Sequence, residues 1–138
     1  MFKNALVSVS DKTGLEDFLK PLAEKGLRIV SSGGTAKYLE ERGFQVTKVS
    51  EQTQFPEVMG GRVKTLHPNI HMPLLQRASV PEDQAILKEY GLEPFDLVVV
   101  NLYPFKDALN KNLSQNEMIE FIDIGGPTLL RASAKNFT

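Results

Sequence analysis

Apolar residues fall along this chain in two rhythms, and the rhythms alternate. Ala5–Ser10 (ALVSVS) is a short β-rich run ending in polar residues. Leu15, Phe18, Leu19 and Leu22 then recur at helical spacing until Gly26 stops the pattern. Pro21 lies inside that helix and predicts a kink or a loosened turn. Leu27–Ser32 (LRIVSS) reads as a second strand, Ala36–Gly43 as a short helix and Phe44–Val49 (FQVTKV) as a third strand. Further on, Pro81 stands at a first helical position of a helix ending at Gly91. Phe95–Phe105 contains a run apolar on both faces, as expected of a central parallel strand. Ser114–Ile122 predicts a helix with Ser114 and Glu117 at capping-box spacing. In Asp123–Asn136 two glycines and Pro127 precede an amphipathic run, another helix start. Strands alternating with helices at these intervals predict βαβ units around a parallel sheet.

Ser50–Ala78 breaks both rhythms and predicts a long loop, which in a compact domain is functional or disordered. Inside it, Gly60–His71 (GGRVKTLHPNIH) sets a dense polar group around only three aliphatic residues. It is either a solvated loop or one that grips a ligand. At 138 residues the chain has the size of one domain and can bury roughly 68–70% of its unfolded surface. Sixteen Lys and Arg against seventeen Asp and Glu leave no field for a nucleic-acid polymer, so any cationic site must be local. The absence of cysteine excludes disulfides, thiolate zinc sites and cysteine nucleophiles. The opening MFKNALVSVSDK lacks the basic and long apolar regions of a signal peptide, and Leu97–Val100 is far too short to span a membrane. A soluble, cytoplasmic protein is expected. The sequence stops just beyond a predicted helix, where an alternating fold would return to the sheet, so part of a longer protein is expected too.

In a parallel α/β sheet, ligands gather beyond the carboxyl ends of the strands. Polar clusters fall at those ends: SVSDKTG, SSGGT and NLYP. SSGGT opens a helix, so its amides and dipole suit a phosphate, with Gly33 and Gly34 allowing close approach and Ser32 and Thr35 adding hydroxyls. The same residues would serve a plain N-cap. SVSDKTG has the same build, with Lys12 as countercharge, and two such sites side by side favour phosphate. His67 and His71 are four apart, but Pro68 argues against a regular helix between them and no metal site is expected. Arg62 and Lys64 could be surface charge, Tyr103 a packing residue and Asp123 a capping aspartate. Composition and spacing reach a phosphate-binding α/β domain, and no further.

Five stretches in order, ALVSVSDKTG, SGGTAKYL, GGRVKTLHP, VVVNLYPF and IDIGGPTLLRASAKN, closely resemble the inosine-monophosphate (IMP) cyclohydrolase domains of bifunctional purine-biosynthesis enzymes. The resemblance runs from about Ala5 to Asn136. It implies a methylglyoxal-synthase-like, Rossmann-like fold of three α/β/α layers around a mostly parallel sheet. It also implies that residues 1–138 are most of one such domain, followed in the full-length protein by a further strand and an AICAR transformylase domain, in a homodimer. The implied reaction closes the second purine ring of a formylated carboxamide ribonucleotide (FAICAR) to give IMP, without metal or organic cofactor. Ser8, Ser10, Lys12, Ser32, Gly33, Gly34 and Thr35 match phosphate- and ribose-side positions. Arg62, Lys64 and Thr65 match positions near the base, with Lys64 stabilising the alkoxide. Asn101, Tyr103, Asp123, Ile124, Gly125, Gly126 and Lys135 match positions around the reacting atoms. Tyr103, Asp123 and Lys135 would orient the carboxamide and shuttle protons, with amides near Gly125 and Gly126 as extra donors. Met72 and Pro73 replace the small, glycine-containing pair usual in that family, which predicts an altered backbone approach there. Two other readings share the fold: a nucleotide-sensing module like the regulatory domains of carbamoyl-phosphate synthetase, and a methylglyoxal-synthase-like lyase.

Overall fold

The computed structural model describes residues 1–137. Its four strands are β1 (Asn4–Ser8), β2 (Arg28–Ser31), β3 (Val46–Lys48) and β4 (Leu97–Val100), all parallel, in the order β3-β2-β1-β4. Leu6 stands opposite both Val30 and Val98, so the two sides of β1 share one register. Side chains alternate across the sheet because successive Cβ atoms point to opposite faces. On one face Ala5, Val7 and Ile29 pack with Leu15 and Leu19 of α1 (Leu15–Ala23) and Leu39 of α2 (Gly33–Glu40). On the other, Leu6 and Val30 pack with Val49 of α3 (Val49–Thr53), Ile70 and Leu74 of α4 (Pro68–Leu75), and Leu129 and Ala132 of α8 (Gly125–Lys135). The result is three α/β/α layers, and each fully buried leucine such as Leu19 or Leu129 contributes about 1.5–3 kcal/mol. The remaining helices, α5 (Pro81–Glu89), α6 (Phe105–Leu109) and α7 (Gln115–Ile119), lie in the connections.

Four expectations need correction. The run Leu97–Val100 is apolar on both faces, with Leu97 and Val99 against one cluster and Val98 and Val100 against the other. Yet β4 is an edge strand and each of its residues is partly exposed; β1 is the central, most buried strand. The helix after β2 begins at Gly33 rather than Ala36. The stretch expected to be one loop holds α3, α4 and a 3-10 turn at Met59–Gly61. Pro68 does not prevent a helix there but starts one, at the position where a missing amide costs nothing, and His67 caps it by accepting the Asn69 amide at Nδ1.

Met72 and Pro73 fall inside α4, away from the cleft described below, and Pro73 is fully buried. Proline removes the amide that would bond the carbonyl one turn back, that of Asn69. Gln52 Nε2 of α3 takes that carbonyl at 3.4 Å, and Asn69 Nδ2 returns a bond to the Gln52 carbonyl at 3.4 Å. Gln52 Oε1 in turn accepts from Arg28 Nη2 at 2.8 Å. The unusual proline is thus absorbed by packing, not by the ligand side of the fold.

Candidate functional site

A cleft of about 540 Å³ opens beyond the carboxyl ends of β1, β2 and β4, where an open parallel sheet places its ligands. Three cationic side chains line it (Lys12, Arg62 and Lys64) against two carboxylates (Glu120 and Asp123), a local balance suited to an anion. Among the described residues no helix is long and apolar enough to cross a membrane.

The wall after β2 is the start of α2. Helix-start amides have no partner within their own helix, and Ser32 makes no side-chain bond to them. Gly34 and Thr35 face the cleft with Ser32, whereas Gly33 is turned with a φ of 54° toward Lys64. The Thr35 hydroxyl is buried and committed elsewhere: it donates to the Val9 carbonyl at 2.8 Å and accepts the Val9 amide at 3.3 Å. It therefore ties the start of α2 to the loop after β1 instead of offering a donor to the cleft. That loop carries Ser8, Ser10 and Lys12 into the cleft; the Lys12 ammonium donates to the carbonyls of Ser10 at 3.1 Å and Val9 at 3.4 Å. Asn101, just past β4, holds the same loop. Its Oδ1 accepts the amides of Ser10 (2.6 Å) and Asp11 (3.1 Å), and its Nδ2 donates to the Asp11 carbonyl at 2.7 Å.

The GGRVKT stretch forms the facing wall. Met59, Gly60 and Gly61 are all left-handed, with φ of 53°, 62° and 80°. This reversal brings Glu57 Oε1 to 3.3 Å from Lys64 Nζ. The Lys64 stem lies against the bare Cα of Gly61, and its ammonium lies 2.7 Å from where a Gly33 Cβ would stand. Arg62 reaches Glu120 at 3.3 Å, a pair more than half exposed on both sides and so of small energetic weight. Thr65 is buried, and its Oγ1 lies 2.9 Å from the Cβ position of Gly125, which seats the start of α8 on this wall.

The third wall joins Tyr103 to α8. Asp123 lines the cleft and is also a cap: its Oδ1 accepts the Gly126 amide at 2.9 Å and its Oδ2 the Tyr103 amide at 3.3 Å. The Gly126 amide is therefore spent on Asp123 and is not the extra donor expected. Gly125, Gly126, Ile124 and the half-exposed Tyr103 complete this wall. Lys135 does not join it. It is exposed at the last position of α8, an 11-residue helix, roughly 15 Å from Gly125 at 1.5 Å per residue.

Residues 14–128 match the family described as MGS-like domain. The chain belongs to that family. The MGS-like domain is 55% identical over 136 residues to the bifunctional purine biosynthesis protein PurH of Persephonella marina, and 53% identical over 133 residues to that of Aquifex aeolicus. It covers 99% and 96% of itself in these matches but spans only 26% of each relative's length. PurH of Bacillus cereus strain AH820 is 56% identical over 137 residues. The crystal structure of ForH superposes with a TM-score of 0.80 at 31% identity, over 99% of this chain and 70% of that one.

All the residues matched from the sequence to substrate-side and catalytic positions line the cleft except Gly33 and Lys135. The cleft also takes in Met59, Gly60, Gly61, Ile119, Glu120 and Ile122, and Glu57 stands behind Lys64. Of these, only the paired glycines left a trace in the sequence, as a demand for positive φ.

Proposed function

We propose that this MGS-like domain is an IMP cyclohydrolase, closing the second purine ring of FAICAR. The carboxamide nitrogen attacks the formyl carbon, so that a C–N bond forms and the formyl C=O opens to an alkoxide. This oxygen takes up two protons, one given up by the carboxamide nitrogen and one by the formamide nitrogen. It leaves as water as its C–O bond breaks and the ring C=N forms. One observation carries the reading: an unpartnered helix start, three cations and the Tyr103–Asp123 wall meet in one cleft from separate stretches of chain. The purine-biosynthesis names of the relatives agree with it. On this reading the phosphate rests on the amides of Gly34 and Thr35 with Lys12 as countercharge, and Asn101 acts by holding the loop that carries Lys12. Asp123, fixed by two backbone donors, accepts a hydrogen bond from the carboxamide and aims its nitrogen at the formyl carbon. Tyr103 supplies a hydroxyl at the same wall. Lys64 provides the cation for the developing alkoxide. Residues 1–138 would be one domain of a cytoplasmic homodimer that also carries a transformylase domain.

Incubation of the chain with FAICAR, followed by the absorbance of the product purine, tests the proposal. Ring closure should occur at a rate proportional to protein and should fall at least a hundredfold in Lys64→Ala, about 2.7 kcal/mol or more. A second reading has its own observation: Lys64, Arg62 and Asp123 are each already paired within the protein. If the wild type binds purine mononucleotide and never closes the ring, the domain is a nucleotide sensor.

A further inference from the structure

Glu57 was not among the candidate residues, and the chain is bent with some effort to bring it in. Three successive left-handed residues separate it from Lys64, and one of them, Met59, carries a side chain. Each such non-glycine residue costs roughly 1–2 kcal/mol, a strain that persists only where surrounding contacts over-determine the conformation. The Gly61 amide closes the turn on the Val58 carbonyl at 2.9 Å, and the ion pair between Glu57 Oε1 and Lys64 Nζ at 3.3 Å joins the two arms beyond it. An ordinary surface pair would have little meaning. This one differs in its packing, because only 27% of the Lys64 side chain is exposed. The stem is seated on Gly61, the ammonium faces Gly33, and Glu57 Oε1 itself lies 2.6 Å from the Cβ position of Gly61.

The two partners also occupy different spaces. Lys64 is a shared wall: it lines both the main cleft and a smaller apolar hollow of about 210 Å³ bounded by Phe55, Val58, Val63 and His67. Glu57 lines the hollow and not the cleft. A carboxylate placed there can hold the ammonium from behind without occupying room meant for a ligand. A four-carbon lysine stem otherwise samples many rotamers, and a misplacement of about 1 Å in a reacting group can cost about a hundredfold in rate.

We propose that Glu57 is a positioning residue that fixes the Lys64 ammonium at the junction of the α2 start and the cleft. The kinetic part of this proposal rests on the cyclohydrolase reading; the geometric part does not. The lysines of the full chain are reductively methylated with ¹³C-formaldehyde, and the Lys64 resonance is identified by its loss in Lys64→Arg. Expected in the wild type is a Lys64 dimethyl resonance displaced from those of exposed lysines and split into two inequivalent methyls. It should collapse toward a single exposed-lysine signal in Glu57→Gln, with Glu57→Asp between them. In parallel, Glu57→Gln should lower kcat for FAICAR by about ten- to a hundredfold while KM moves less than about threefold, with partial recovery in Glu57→Asp. Urea unfolding of each variant reports whether the fold is kept, and if Glu57→Gln does not fold, Glu57→Asp alone carries the comparison. A Lys64 resonance identical in wild type and variants overturns the proposal. If wild-type ring closure is absent but the Lys64 signal shifts as expected, the cyclohydrolase reading fails and the positioning role stands. If the signal shifts but kcat does not, the positioning role in catalysis is overturned.

Discussion

A methyl group added at Gly61 would run into the Lys64 stem and lie 2.6 Å from Glu57 Oε1, at a φ of 80° that strains any L side chain. Gly43 has nearly the same φ, 82°, with nothing within 4 Å of its Cβ position. The pair separates backbone cost from site cost. Gly61→Ala and Gly43→Ala should each destabilise the chain by about 1–2 kcal/mol in urea unfolding, but only Gly61→Ala should lose turnover of FAICAR, by about tenfold or more. Equal activities would mean that the Lys64 stem can shift without consequence. Thr35 tests another division of labour. Its hydroxyl is bonded to both backbone groups of Val9, so Thr35→Val leaves the Val9 amide without its partner and its carbonyl with only the Lys12 ammonium at 3.4 Å. A loss of about 1–3 kcal/mol of stability is expected, with weakened nucleotide affinity following from the displaced loop. Calorimetric affinity that falls while stability is untouched would return the hydroxyl to the ligand.

Elements make their own demands, and α4 makes the least readable ones. It contains two prolines, one at its first position and one within, so neither propensity nor period announces it. It forms because Ile70 and Leu74 bury fully against β1 and β2 and because the Gln52 side chain takes the carbonyl that Pro73 leaves free. Both causes are tertiary, which is why the sequence shows only a polar tract there. The alternating strands, the Ser114–Glu117 cap and the clustering of polar segments at strand ends were legible because each depends on neighbouring residues alone. The edge position of β4 was not, since strand order is decided by pairing across long separations. Glu57 was hidden for a similar reason: it meets Lys64 only through the left-handed turn. The same helix α4 carries His71, whose Nε2 is buried without a hydrogen-bond partner among the described residues. Burial holds the imidazole below its ordinary pKa, and the Thr65 carbonyl opposes this only in part. The unfolded chain therefore takes up a proton first as pH falls, near about 6.5, so stability is full above that value and declines below it. The urea midpoint of the wild type should fall between pH 7.5 and 5.5, and His71→Phe should lessen that fall. An unchanged slope in the variant would place the acid sensitivity elsewhere.

At the scale of the whole molecule, a ligand that fills the cleft touches walls from both ends of the chain and should bind the folded state alone. Purine mononucleotide at about a hundred times its Kd should then add about 2.7 kcal/mol of stability, read as a rise of several degrees in Tm. An unshifted Tm would argue against the cleft as a nucleotide site. The strand order adds a dimension in time. The buried hydroxyl of Ser31 reaches β1 across a sequence separation of 24, whereas Asn101 reaches Ser10 across 91. Closing the longer loop costs about 1.2 kcal/mol more in chain entropy, besides delaying encounter. During refolding, β1, β2 and β3 can pair while β4 is still free. Pulse-labelled hydrogen exchange should find the amides of Val7 and Val30, which face across the β1–β2 pair, protected before that of Val99, which faces β1 from β4. The loop that holds Lys12 is locked only when Asn101 arrives. The capacity to bind would then be the last property this chain gains as it folds, and the first it gives up when its edge strand opens.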